Sequence, residues 1–296
     1  MDSRQRTLAA VRPHGRTGVE LGPLDRPLVR RDDGDILYAD HLSTEGLARK
    51  YAGHAAAGPR ARGALVEVDL VLENQTLAQA LGARGPVDYI VASHVIEHLP
   101  DVIGWLKDCA EALREDGLLF LAVPDMRFTF DRGRSLTTVG DLVAAHLARA
   151  TRPSPAQVYE HFSRAMQVDA DAVWTGRETR FPLFAGHGPE AGLEHARRIH
   201  ETGGMIDVHC SVFTPDSFTS VLGEAIAIGL VPFAFSEVTP TQVGEIEFFA
   251  LLRKCDGATP AERAAFTPRP DRHAPRPARP GWRSRLAGTR RLADTP

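Results

Sequence analysis

The run Asp88-Tyr89-Ile90-Val91-Ala92-Ser93-His94-Val95-Ile96-Glu97-His98-Leu99-Pro100-Asp101 decides how this chain is read. Tyr89 to Ala92 is a continuous apolar stretch of strand length. It breaks into a polar cluster, Ser93, His94, Glu97 and His98, and Leu99-Pro100-Asp101 closes it before a helix. A buried strand ending in polar groups is how an open α/β sheet presents chemistry at its carboxyl edge. The same letters spell His-x-x-Glu-His, a zinc-protease pattern. That chemistry needs both histidines on one face of one helix, with a third ligand further along. Here a strand runs up to Ser93, and Pro100 is tolerated only at a helix start and restricts Leu99 before it. No metal site is therefore expected, and Glu97 and His98 are expected to brace the strand-to-helix turn by hydrogen bonds.

Upstream, residues 1–16 are polar and expected to be frayed. Residues 17–21 and 35–39 read as strands, the second ending in Asp40. Ser43 can cap a helix reaching residue 54, and 55–63 is a small-residue linker. Residues 64–68 read as a third strand ending in Asp69, and 75–81 as a short helix. Downstream, Asp101 caps a helix with Trp105, Leu106, Cys109 and Leu113 on one face. Gly117 is expected to stop it. Residues 118–123 form a fifth strand closed by Pro124-Asp125. Continuous apolar runs indicate parallel strands covered on both faces, hence a doubly wound α/β sheet.

Residues 126–210 break this rhythm with Arg, His and aromatics, and read as an inserted cap of helices and loops. An insertion of that size after one strand is usually functional. Residues 142–150 and 157–168 read as its helices and 176–192 as a loop. Thr214 caps a helix stopped by Gly229. Residues 231–238 and 245–253 then form a hairpin, so the last strand is antiparallel. From 255 onward Pro and Arg dominate, and the tail reads as disordered.

The formal net charge of −3 offers no overall attraction to nucleic acid or membrane. No apolar run reaches membrane-spanning length and the first residues hold no signal core, so a cytoplasmic protein is expected. The three cysteines, Cys109, Cys210 and Cys255, are too scattered for a disulfide framework or a metal site.

Residues 92–101 resemble the fourth-strand motif of class I S-adenosylmethionine-dependent methyltransferases that act on small molecules. Ala112-Leu-Arg-Glu-Asp-Gly-Leu-Leu-Phe-Leu-Ala-Val-Pro124 resembles their helix, glycine turn and fifth strand. The resemblance covers 17–125 and 211–254, which would form the cofactor-binding core. It implies a Rossmann-like, mostly parallel sheet of seven strands with S-adenosylmethionine across its carboxyl edge. Glu20 and Gly22 would then approach the methionine part of the cofactor. Asp40 would accept from the ribose hydroxyls, at the acid spacing expected in such folds. Asp69 would lie near the adenine, and Ser93 and His94 beside the sulfonium. The usual glycine-rich loop is replaced here by Gly22-Pro-Leu-Asp-Arg-Pro27.

A positioned histidine can take a proton from the acceptor. His161, His195, His200 and His209 are the cap candidates, His209 and His161 foremost. Asp125 follows the fifth strand and is a candidate for substrate contact, as is Arg127 with Arg132 and Arg134. The implied reaction is methyl transfer to an oxygen or nitrogen of a small molecule, natural-product or sugar-like, leaving S-adenosylhomocysteine. The expected partner is that acceptor, not nucleic acid or membrane, and a homodimer is allowed. Two alternatives stay open: a methyltransferase-like fold that transfers no methyl, and a zinc hydrolase built on His94, Glu97 and His98.

Overall fold

The computed structural model describes residues 1–52, 64–178 and 180–268. The expected linker at 55–63 and most of the basic tail lie outside the described residues. The chain opens with helix α1 (Ser3–Val11), where fraying is expected. Asp2 accepts from the Gln5 N–H and the Gln5 side chain returns the bond, a reciprocal cap that offsets the weak apolar pattern. Val11 and Thr7 are buried beneath it.

Strands β1 (Thr17–Leu21) and β2 (Asp35–Asp40) follow with no helix between them. Helix α2 (Thr44–Tyr51) starts at the Ser43 cap. The third strand is not where its composition suggests: β3 is only Leu70–Val71. The Val66 N–H donates to Leu24 O, so residues 64–68 lie along the first loop instead of beside β2. Asp69 therefore precedes β3, away from its carboxyl end. Helix α3 (Leu77–Leu81), β4 (Val87–Ser93), α4 (Val102–Ala112) and β5 (Leu113–Pro124) complete the first half. Asp101 caps α4 as expected, accepting from the Gly104 N–H at 2.8 Å. Gly117 does not stop α4. It sits inside β5, where an added Cβ would lie 2.8 Å from Arg114 O, and Asp116 takes the left-handed turn at φ +61°.

The insertion holds α5 (Val139–Leu147), α6 (Pro155–Arg164), α7 (Ala170–Thr175) and α8 (Pro189–Thr202). Helix α5 sends Leu142 into the main core and belongs to the sheet's covering layer. Helices α6 and α8 pack on each other over a small separate core of Val158, Ile199, Val208 and Cys210. Then come α9 (Pro215–Ala227), β6 (Phe233–Thr239), β7 (Glu247–Lys254) and α10 (Pro260–Ala264). Helix α10 falls in the tail expected to be disordered. Thr259 and Glu262 cap it reciprocally, and Arg263 donates to Cys255 O and Val231 O.

The sheet order is β3-β2-β1-β4-β5-β7-β6. All neighbours are parallel except β7, which runs antiparallel to both β5 and β6. Side chains alternate across it. Val19, Leu21, Ile90, Ala92 and Leu121 face the layer of α3, α4, α5 and α9. Tyr38, Tyr89, Val91, Phe120 and Phe249 face α1 and Val29. Gly18 is there because the Tyr89 ring lies where its Cβ would be, 2.1 Å away. The carboxyl ends of β1, β2 and β4 thus open on one edge, flanked by the insertion.

Candidate active site

The edge is built first from the β1 turn. Gly22 takes φ +64° and its N–H donates to Ala39 O, folding the chain sharply off β1. The following loop is held from below by Glu20. Its two oxygens accept the N–H groups of Leu28 and Val29 at 2.8 and 2.9 Å, and the side chain is 1% exposed. Burial pushes Glu20 up to about 7, against the pull of those two amides. This corrects the expectation that Glu20 approaches a cofactor: both oxygens are spent on replacing the missing helix's scaffold. Asp69 is corrected likewise. It pairs with Arg31 at 2.9 Å and accepts from the Tyr38 N–H, mid-strand, not at the edge.

Asp40 does reach the edge. It is 7% exposed at the exit of β2 and accepts at Oδ1 from the His41 N–H and ring. Ser93 ends β4, half-buried. His94 follows at φ +53°, an uncommon conformation outside glycine. Its Nε2 lies 2.6 Å from Glu247 of β7. Burial alone would lower His94, but the Glu247 bond and the Glu97 and Glu247 charges hold it above its ordinary value. Glu247 is in turn bonded by Ser3 of α1, so the first helix braces this corner.

Ile96–His98 forms one tight turn, not a helix able to carry a zinc-protease pair. The turn is held by backbone bonds, His98 N–H to Val95 O and Leu99 N–H to Ile96 O. The Glu97 side chain, expected to brace it, makes no hydrogen bond although it is 1% exposed. The Glu97 carbonyl does tie down the end of the insertion, accepting from the Cys210 N–H at 2.6 Å and the Ser211 N–H at 3.1 Å.

That clamp delivers His209. Its ring packs edge-on against His98, with centroids 4.7 Å apart, and lies tilted against Phe130 at 4.5 Å. Its Nδ1 is 2.6 Å from Asp131, which also pairs with Arg134 at 2.7 Å. Burial would raise Asp131, but the His209 bond and the His209 and Arg134 charges hold it below the usual carboxylate range. The Arg134 guanidinium also donates to His209 O, fixing the residue at both ends. On the other side, His98 Nδ1 lies 2.8 Å from Asp207. Ligand-type atoms of Glu97, His98 and His209 all lie within 4.8 Å of one another.

His161 lies behind this cluster, edge-on to Phe130 at 5.6 Å. Burial and the Arg134 charge push it down to about 4, so it is a neutral ring in an aromatic floor. His195 stacks on Phe162 at 3.8 Å, and His200 is exposed on α8. Asp125, expected to contact substrate, is 0% exposed. It is saturated by the Arg127 guanidinium at 2.5 Å, the Thr241 hydroxyl at 2.7 Å and the Arg127 N–H, so it ties β5 to the β6–β7 turn. Asp131 and Asp207 were missed by sequence reasoning. Each is the acid one or two residues from an aromatic or histidine of the site, and nothing local marks it.

A mostly parallel sheet with β7 inserted antiparallel, a glycine turn after β1 and an acid at the exit of β2 define the cofactor-binding core of an α/β methyltransferase. The methyltransferase-domain family model matches residues 38–225, and the chain belongs to that family. S-adenosylmethionine is the cofactor of its S-adenosylmethionine-dependent members. The chain is 50% identical over 48 residues to a ubiquinone biosynthesis O-methyltransferase of Parvibaculum lavamentivorans, 16% of this chain and 19% of that one. It is 38% identical over 93 residues to a Mycobacterium tuberculosis protein named "Probable S-adenosylmethionine-dependent methyltransferase", 31% of this chain and 32% of that one. The matches thus span under a third of these relatives' lengths. A solved S-adenosylmethionine-dependent methyltransferase from Mesorhizobium loti aligns over 86% of this chain and 98% of its own, at 16% identity and a TM-score of 0.41.

The donor set fits the cofactor in part. Asp40 offers a carboxylate at the edge, and Gly22 keeps the backbone turn free of a side chain. The Glu20 and Asp69 carboxylates are engaged within the protein, by the loop amides and by Arg31 with the Tyr38 N–H. Among the described residues no helix is long and apolar enough to cross a membrane.

Proposed function

We propose that this chain transfers the sulfonium methyl of S-adenosylmethionine to a hydroxyl or amine of a small molecule, natural-product or sugar-like. Asp40 would hold the ribose, with Gly22 and Ser93 lining the cofactor's path. S-adenosylmethionine supplies a methyl carbon whose leaving group is already activated, so the protein's task is alignment and proton removal. The observation that carries the reading is the convergence of Glu97, His98 and His209 beside the exit of β4, where the acceptor must meet the methyl group. Two imidazoles, oriented by Asp131 and Asp207, with the Glu97 carboxylate beside them, serve an acceptor that carries a proton to be lost. Helices α6 and α8 beside them favour an enclosed small acceptor over a macromolecule.

The test is calorimetric titration of the pure protein with S-adenosylmethionine and S-adenosylhomocysteine. Asp40→Ala is expected to weaken both by about 10- to 100-fold, the worth of charge-assisted hydrogen bonds. Full affinity in that variant, or no binding by the unaltered protein, would overturn the assignment. The prolines after Gly22 and the engaged Glu20 favour a second reading, a related fold that transfers no methyl. Any methylated product found by mass spectrometry removes it.

A further inference from the structure

We propose that Glu97, His98 and His209 bind one divalent transition-metal ion, which holds and activates the acceptor hydroxyl. The inference rests on the methyltransferase reading for the ion's use, though not for its binding. Two imidazoles and one carboxylate are a ligand set of catalytic zinc and related ions, with positions left open for substrate.

Glu97 makes the argument specific. It is 1% exposed, and neither carboxylate oxygen has a hydrogen-bond donor. Its nearest charged neighbour on the strand side, His94, stands 3.5 Å off and already has Glu247 on its other nitrogen. A buried carboxylate without donors is costly, and a coordinated cation supplies the missing partner. The histidines are arranged to match. Each has its Nδ1 on a carboxylate, His98 on Asp207 and His209 on Asp131, which leaves Nε2 of each as the donor. Metal-binding histidines are oriented by such outer carboxylates. The ligands come from two distant segments, and the Cys210 and Ser211 amides lock one to the other through the Glu97 carbonyl. This cluster differs from the His-x-x-Glu-His set: His94 is replaced by His209, and no helix is needed.

The ion gives the acceptor's chemistry. A hydroxyl bound to it is acidified and loses its proton to solvent. The oxygen then attacks the sulfonium methyl: an O–C bond forms, the C–S bond breaks, and the electron pair stays on sulfur. An oxygen acceptor is therefore favoured over nitrogen. Imidazole donors favour zinc, iron or cobalt over magnesium.

The full chain, stripped with a chelator, is titrated with Zn²⁺, and bound metal is counted by mass spectrometry. One ion per chain is expected. Glu97→Gln and His209→Ala should each weaken binding by more than about 100-fold, and Asp131→Asn by about 10- to 100-fold. His14→Ala, far from the cluster, should change nothing. Co²⁺ should give visible absorption bands that His209→Ala removes, with circular dichroism confirming that Glu97→Gln and His209→Ala remain folded. Absence of stoichiometric metal, or equal binding by the unaltered chain and Glu97→Gln, overturns the proposal. S-adenosylhomocysteine titration of the same samples reports the methyltransferase reading separately. Metal without cofactor binding sinks that reading and keeps the site, and cofactor without metal does the reverse.

Discussion

Glu20 shows how one side chain can serve the fold in place of chemistry. It carries a loop that has no helix to support it, through two amide bonds inside the protein. Its value of about 7 lies above the 4.5 of the ordinary group. The unfolded chain therefore gives up this proton first as pH rises. The stabilisation is full below about pH 4.5 and is lost as pH climbs towards 7, in all about 3 kcal/mol. Glu20→Gln removes that titration and puts an NH₂ against an N–H, at a cost of about 1–3 kcal/mol. Urea unfolding of both proteins between pH 4.5 and 8 should show the gap between them changing with pH; a constant gap would refute the account. At this scale the sequence was legible for place alone: the apolar runs put Gly22 at the turn off β1 and Asp40 at the exit of β2. It was not legible for Glu20 or Asp125. A buried acid looks the same in sequence whether its partners are backbone amides, an arginine or a ligand.

Helices α6 and α8 meet so closely that no side chain fits between them at Gly192. A Cβ there would lie 2.9 Å from Tyr159 O and from the Ser163 Cβ. Gly192→Ala is expected to push the two helices apart. Hydrogen exchange should quicken in α6 and α8 while the strands of the sheet keep their protection, and loss of protection throughout the sheet would contradict the separate small core. Gly188 and Pro189, written into a loop by their composition, are the start signals of α8. The apolar strand runs were legible because parallel strands covered on both faces leave little choice of residue. Residues 64–68 have strand composition too, yet strand pairing needs a neighbour, and theirs is a loop. Helix α1 lacked any apolar stripe and is made by its cap and by what it covers.

Across the whole molecule, the site is a product of topology. Glu97 and His98 follow β4, and His209 arrives only after the chain has left the sheet, built the insertion and returned. No spacing rule joins them, so the cluster could not be read from the letters, although each member was singled out. The sheet was legible as a class because its order follows from short, right-handed connections. The same topology sets a hazard during synthesis. Strand β5, with its core of Leu119 to Val123, stays without its outer neighbour until β7 is made, and everything from α5 to β6 intervenes. A nascent chain paused in that interval displays a bare apolar edge, the template on which chains stick to one another. Chains cut short before Glu247 should accumulate in the insoluble fraction, whereas chains ending after residue 268 should stay dispersed. Sedimentation of the two products after expression would decide it.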